Sequence, residues 1–351
     1  MSHLFEPITV KTMTLKNRIV FPPIATNYGL RNERALAYYT ERAKGGAGLV
    51  ILQGTPVDPF ASPKWVGGLK QLVGSIHQNG AAIGIQLWTG NELPGGDKVA
   101  PSPKDDHREV TAGELGELIQ RFAVAARAAR DIGFDTIDVH GAHGYFLHQL
   151  FSPLTNRRTD AYGGSLQKRM TFGLECVRAI RKAVGPDYPV MYRLSAIENT
   201  PDGIQLADSV AFGRELAHAG VDVLDVSAGS PGDKVNISIP DATYPLGTHL
   251  ELAAAIRVGA NVPVVAVGRF NTREVCEKAL GEGKADLIAI GRQLLADPHW
   301  PNKVREGREA DVVECDSCNA MCTAHQRTGK PIECVVNPDL GQEYLRSQSK
   351  A

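Results

Sequence analysis

The feature that most constrains this chain is an alternation repeated eight times along it. Short apolar, β-branched runs fall at 18–21, 48–52, 82–87, 136–139, 190–193, 223–226, 262–267 and 287–290. Longer amphipathic stretches lie between and after them, at 34–44, 64–79, 112–132, 166–184, 205–219, 250–258, 272–281 and 297–305. The short runs have strand length and the long ones have helical periodicity. Strands without a polar face need cover on both sides, which places helices around a parallel sheet. Eight βα units predict an α/β fold, a (β/α)8 TIM barrel, with its chemistry at the C-terminal strand ends. A doubly wound sheet is the alternative, and the count of eight disfavours it. No linker divides 1–310, so that span is expected to be one barrel domain, with 311–351 a short Cys-rich extension.

If this reading is right, special residues follow the strands. Pro22, Pro23, Ile24 and Ala25 follow the first, Gln53-Gly54 the second, and Gln86 ends the third just before Trp88. Arg193 ends the fifth run, and Ser227 follows the sixth. Gly268-Arg269 and Gly291-Arg292 follow the seventh and eighth, where barrels commonly bind phosphate through backbone N–H groups and a guanidinium. The competing reading of one Gly-Arg pair is a capped turn with a solvated arginine. No strand–GxGxxG–helix unit is present, which excludes a Rossmann dinucleotide domain.

The fourth run leads into the densest polar cluster. Thr136 to Val139 is followed by His140-Gly141-Ala142-His143-Gly144-Tyr145. Two imidazoles and a phenol at one strand end suit binding an oxygen and moving a proton near neutral pH. Gly141 and Gly144 are expected to allow a tight turn. Structural histidines beside a core tyrosine are the competing reading.

This stretch resembles the old yellow enzyme family of FMN-dependent ene-reductases. The resemblance rests on His140-x-Ala142-His143-Gly144-Tyr145, followed by Ser152-Pro153, Asn156, Arg158, Asp160 and Tyr162-Gly163-Gly164-Ser165. Leu15 to Val20 is similar to the family's opening strand, and the likeness covers roughly residues 4–338. It implies that His140 and His143 bind the substrate's activating carbonyl and that Tyr145 donates the proton. It also implies that Pro23, Ile24 and Ala25 back the flavin, with Gly54 beside them, and that Gln86 binds the pyrimidine edge. Arg193 would face N1 and the C2 carbonyl, where a cation favours the reduced, anionic flavin. Gly268, Arg269, Gly291 and Arg292 would hold the FMN phosphate. Three departures stand out: Phe146 replaces Leu, Ala25 falls where Thr or Cys is common, and Trp88-Thr89 stands where the family has a histidine. Thr26 takes the Ala25 role if the register slips by one. Trp88 is either core or one wall of a cage for an amine.

The second strong motif is Cys315-x2-Cys318-x3-Cys322-x11-Cys334, closed by Asn337-Pro338. Four thiolates suit tetrahedral zinc or a [4Fe–4S] cluster. The three-plus-one spacing resembles the cluster motif of the family's 2,4-dienoyl-CoA reductase and trimethylamine dehydrogenase branch. That branch typically continues into nucleotide-binding domains, so this chain resembles the FMN and cluster module alone. Cys176 and Cys276 lie within predicted helices and read as ordinary buried thiols.

Composition narrows the partners. Net charge is −1, against a nucleic-acid or anionic-membrane partner. No basic n-region opens the chain and no apolar run approaches membrane-spanning length. Six cysteines in this pattern point to a reducing, cytoplasmic setting. The leading expectation is therefore reduction of an activated C=C bond with FMN, a [4Fe–4S] cluster and NAD(P)H. A small-molecule substrate, a separate electron-transfer protein and a homo-oligomer are the partners this reading admits. An amine dehydrogenase or N-demethylase, draining electrons through the cluster, is the second reading. A zinc-stabilised barrel binding a phosphorylated ligand is the third.

Overall fold

A computed structural model describes residues 3–230, 233, 235 and 237–348 of the chain. Eight parallel strands close into a barrel. They are β1 (Ile19–Phe21), β2 (Leu49–Pro56), β3 (Ala82–Trp88), β4 (Thr136–Gly141), β5 (Val190–Ser195), β6 (Val223–Ser227), β7 (Val264–Ala266) and β8 (Leu287–Ala289). Closure is made by β1, which pairs with β8 through Ile288 and Ile19 and with β2 through Val20 and Leu49. The expected TIM barrel is the fold.

The principal outer helices are α1 (Glu33–Lys44), α2 (Lys70–Gln78), α3 (Ala112–Asp131), α4 (Leu166–Val184), α5 (Leu206–Ala219), α6 (Leu250–Ala260), α7 (Arg273–Gly281) and α8 (Trp300–Arg305). α3 shows why they form. Thr111 and Glu114 make a reciprocal capping box at its start. Leu115, Leu118, Ile119, Phe122, Ala125, Ala126 and Ala129 then recur at helical spacing and are buried on one face.

Local boundaries depart from the sequence reading. The helix expected over 64–79 breaks into Pro63–Gly67 and α2, because Gly67-Gly68 interrupts it. The eighth helix starts three residues later than expected, at Trp300, and a separate short helix at Arg292–Ala296 precedes it. β7 is shorter than the apolar run that encodes it, whereas β4 and β5 run two residues further. β2 also continues past Leu52, with a register shift between Leu52 and Thr55 that kinks Gln53-Gly54 at the barrel rim.

The N-terminal end of the barrel is plugged. A hairpin of Ile8–Val10 and Met13–Leu15, which the strand count passed over, covers it. Val10, Met13 and Leu15 pack there with Val20, Leu49, Met191, Val223, Val265 and Leu287. The opposite end stays open for a site.

The segment beyond 310 lies back against the barrel. Gln293 grips it twice, donating to Val313 O at 2.8 Å and accepting from Cys315 N at 2.9 Å. Asn337 donates to Leu295 O at 2.7 Å, and Tyr28 donates to Ile332 O at 2.5 Å. Deeper, Arg42 on α1 meets Glu343 at 2.6 Å, both buried.

Candidate active site

A cleft of about 520 Å³ opens at the C-terminal strand ends. That lies within the usual range for a cofactor or ligand pocket. Pro23, Ile24, Ala25, Gly54, Gln86, His140, His143, Tyr145, Arg193, Gly268, Arg269, Gly291 and Arg292 all line it. The structure thus brings together the barrel residues singled out in the sequence, from seven different strand ends.

The β4 turn builds one end. His140 is the penultimate residue of the strand, with its ring centroid 5.3 Å from that of His143 and 4.5 Å from that of Tyr145. His143 adopts φ 57° and Gly144 φ 78°, so two consecutive left-handed residues make the turn. Gly141 is needed for space rather than for turning: a Cβ there would stand 2.2 Å from the Tyr192 hydroxyl oxygen. His143 is fixed from neighbouring strands. Its Nε2 pairs with Ser227 Oγ at 2.7 Å, and its backbone N–H donates to Ser195 Oγ at 3.1 Å. Ser195 in turn donates to Gly229 O at 2.8 Å.

Trp88 belongs to this end. Its ring meets Tyr145 edge-on at 5.0 Å and lines the cleft. It is therefore a wall of the pocket and not interior core. Desolvation, reinforced by the Arg193 guanidinium, holds both His140 and His143 well below the ordinary imidazole range. Burial moves the Tyr145 phenol the other way, upward, although its side chain still reaches solvent. Two neutral imidazoles beside a protonated phenol can bind an oxygen and hold a transferable proton.

The floor is polar and buried. Arg193 pairs with Asp225 at 3.4 Å, and Gln86 Nε2 donates to Asp138 Oδ2 at 2.8 Å. Both carboxyls are buried, and desolvation raises each, with mutual repulsion adding for Asp138. Sequence reading passed over both aspartates because each sits inside an apolar run. A charged residue amid strand apolars was the available signal. Arg193 Nε and His140 Nδ1 are buried and find no partner among the described residues. A bound ring with edge acceptors and a carbonyl would meet such donors, so the residues fit a flavin.

Ala25 faces the cleft, but Thr26 does not replace it. Thr26 is fully buried, and its hydroxyl and backbone N–H both donate to Gln53 Oε1, at 2.8 and 3.0 Å. The register slip that would bring Thr26 to a flavin is absent.

The other end carries the arginines of the β7 and β8 turns. Gly268 has φ 123°, and a Cβ there would lie 3.1 Å from His249. Arg269 and Arg292 line the cleft together with Asn271, Gln326 and Arg327, three residues that motif reading did not flag. Beneath Arg292 and Leu295 runs a narrow crevice lined by all four tail cysteines, Cys315, Cys318, Cys322 and Cys334. Cys315 and Cys322 also border the main cleft. Ser317 N–H points at Cys315 Sγ at 3.4 Å. Among the described residues no three Cys, His, Asp or Glu side chains are arranged to hold an ion. The thiols share a crevice without standing in ligating geometry.

An open barrel mouth with an apolar back wall, a buried guanidinium and a two-arginine end has the layout of a flavin-dependent oxidoreductase. Residues 3–311 match the NADH:flavin oxidoreductase / NADH oxidase family, and the chain belongs to that family, with an old yellow enzyme-like barrel. It is 38% identical to the NADH oxidase of Thermoanaerobacter brockii, covering 99% of this chain and 58% of that protein. Among solved structures, 2-naphthoyl-CoA reductase in complex with 2-naphthoyl-CoA superposes with a TM-score of 0.91 at 30% identity, over 97% of this chain and 58% of that one. Histamine dehydrogenase from Rhizobium sp. 4-9 follows with a TM-score of 0.88 at 29% identity, over 97% of this chain and 53% of that one. The chain thus spans a little over half the length of these relatives. No helix among the described residues is long and apolar enough to cross a membrane.

Proposed function

We propose that this chain reduces the C=C bond of an enone, enoate or enoyl-type substrate. The observation that carries the reading is the joint placement of His140, His143 and Tyr145 over the Arg193 floor, in the same cleft as the two Gly-Arg turns. FMN, when bound, supplies the hydride, and NAD(P)H is the proposed source of its electrons. The chain's own residues do the rest. Pro23, Ile24 and Ala25 offer an apolar back wall, while the Gln86 amide and the Arg193 guanidinium would meet the pyrimidine edge. Gly54 keeps that edge open, since a Cβ there would sit 3.3 Å from both Gln86 Oε1 and Trp88 Cδ1. Arg269 and Arg292 hold the phosphate beside Gly268 and Gly291.

His140 and His143, kept neutral, donate hydrogen bonds to the substrate carbonyl and polarise it. Tyr145 holds the proton destined for the α-carbon on its hydroxyl. The similarity to 2-naphthoyl-CoA reductase supports an acyl-thioester or related electron-poor substrate.

For the four tail cysteines we propose a [4Fe–4S] cluster. Four thiols on one crevice, with a backbone N–H aimed at one sulfur, are the donor set such a cluster takes. The crevice adjoins the flavin cleft, which supports a role in passing single electrons to or from a separate protein. Zinc at the same thiols is the alternative, and with it a non-catalytic barrel.

A second reading has its own observation. Trp88 against Tyr145 makes an aromatic wall suited to an amine cation, and histamine dehydrogenase shares the fold. One anaerobic experiment separates the three. The purified protein is mixed in parallel with NADH, NADPH, histamine and methylated amines while its visible spectrum is recorded. Bleaching of flavin by a pyridine nucleotide, reversed by an enone or enoyl thioester, supports ene reduction. Bleaching by amines alone supports the dehydrogenase. A colourless, zinc-containing protein refutes both.

A further inference from the structure

The two arginines proposed to hold the phosphate are themselves held by the cysteine tail. Arg269 donates from Nε to Ser317 Oγ at 3.4 Å and from Nη1 to Ala242 O at 3.3 Å. Arg292 donates from Nη1 to Asn319 Oδ1 at 2.7 Å and from Nη2 to Pro240 O at 2.6 Å. A guanidinium has five N–H donors, so two contacts leave three for a ligand. The contacts therefore fix the arginines without consuming them.

Ser317 and Asn319 flank Cys318, and each adopts φ 57°. That region is uncommon for non-glycine residues, and a loop that keeps two of them there is held by its side chains. Asn319 shows the hold. Its Oδ1 accepts from Arg292 and from Thr323 Oγ1 at 3.2 Å, while Nδ2 donates to Ile239 O at 3.1 Å. One amide thus ties the β8 turn, the short helix Cys322–Arg327 and the loop after β6. Ser317 is buried where its hydroxyl meets Arg269.

We infer that Ser317 and Asn319 are positioning residues for the cofactor phosphate, so that FMN retention depends on the folded loop between the cysteines. The inference rests on the phosphate reading of Arg269 and Arg292. Its consequence is reciprocal: anything that orders this loop, a metal centre on the cysteines included, tightens FMN, and bound FMN steadies the loop.

Glycine is the right probe, because it removes each side chain while accepting the left-handed backbone. The full-length protein is stripped of flavin, and FMN and riboflavin affinities are measured by fluorescence quenching for wild type, Ser317→Gly, Asn319→Gly and Arg292→Ala. Riboflavin shares the ring and lacks the phosphate. Asn319→Gly is expected to weaken FMN about tenfold, the worth of one charge-assisted contact, and to leave riboflavin unchanged. Ser317→Gly should act in the same direction and more weakly. If both glycine variants bind FMN as wild type does, or lose FMN and riboflavin equally, the positioning role is wrong. If Arg292→Ala leaves the FMN-to-riboflavin ratio untouched, the phosphate reading fails first. Circular dichroism melts of each variant separate these results from loss of fold.

Discussion

The two ends of the cleft are built on opposite plans. At one end, His140, His143 and Tyr145 come from a single turn and pack ring against ring, with β5 and β6 serving as props. At the other, Arg269 and Arg292 leave separate strands and are gripped by residues 48 and 27 positions further along the chain. Charge follows the same division. The first end is neutral by desolvation, whereas the second is cationic and bonded to amide, hydroxyl and carbonyl oxygens. On the reading proposed above, the difference teaches that proton chemistry is a local property of six residues, while cofactor retention is a property of the tail's fold. Mutations can test that division.

The largest effect is expected at the local end. Tyr145→Phe removes only a hydroxyl from a ring that stays packed between Trp88 and His140. Alkene reduction should slow by roughly 10²–10⁴-fold, the usual contribution of one positioned acid. Flavin reduction by pyridine nucleotide should stay near the wild-type rate. Anaerobic stopped-flow on the two half-reactions checks this, and unchanged alkene reduction would remove Tyr145 from the role.

The tail end should respond through stability instead. Glu343→Ala leaves Arg42, with no exposed side-chain surface, facing the aromatic rings of Tyr38 and Phe21 without its carboxylate. Breaking a buried pair from one side costs about 3–5 kcal/mol. Because Arg42 lies on α1, the loss should undock residues around Ile332 and Leu340, which pack in the same core. Urea unfolding would show it, with FMN leaving before the barrel melts. Coincident loss of flavin and barrel at the wild-type midpoint would mean that the tail is not separately anchored.

Legibility in the sequence divided along the same line. The barrel could be read because eight apolar runs and eight amphipathic stretches carry their periods locally. The β4 turn could be read because its polar residues are contiguous. Glycines at 268 and 291 announced the arginines that follow them. What could not be read were partnerships across the sheet. Asp138 and Asp225 look like flaws in their strands until parallel pairing sets Gln86 beside Asp138 and Arg193 beside Asp225. Ser317 and Asn319 look like filler between cysteines, since nothing in their spacing points to Arg269 or Arg292. Thr26 lay one residue from a plausible role, and only the Gln53 bond at the β2 kink decided against it.

The smallest effect concerns pH, and it is read through stability rather than through turnover. The arginines of the cationic end do not titrate in an accessible range. At the neutral end, burial depresses the imidazoles of His140 and His143, and beside Gly268 at the other end burial pushes His249 down to about 4. In the unfolded chain each returns to about 6.5. Between its folded value and 6.5, the unfolded state binds a proton that the folded state refuses. Their contribution is therefore complete above about 6.5 and is lost as pH falls below it, by about 1.4 kcal/mol per pH unit for each histidine within its window. Asp138 slopes the other way, because its raised carboxyl takes up a proton when folded. The sign must accordingly be taken from a difference. Unfolding free energies of wild type and His140→Gln, measured at pH 7.5, 6.5 and 5.5, should converge as pH falls, because the variant lacks one of the refused protons. Parallel curves would show that His140 accepts its proton in the folded protein, and the neutral, carbonyl-binding role assigned to it would be lost.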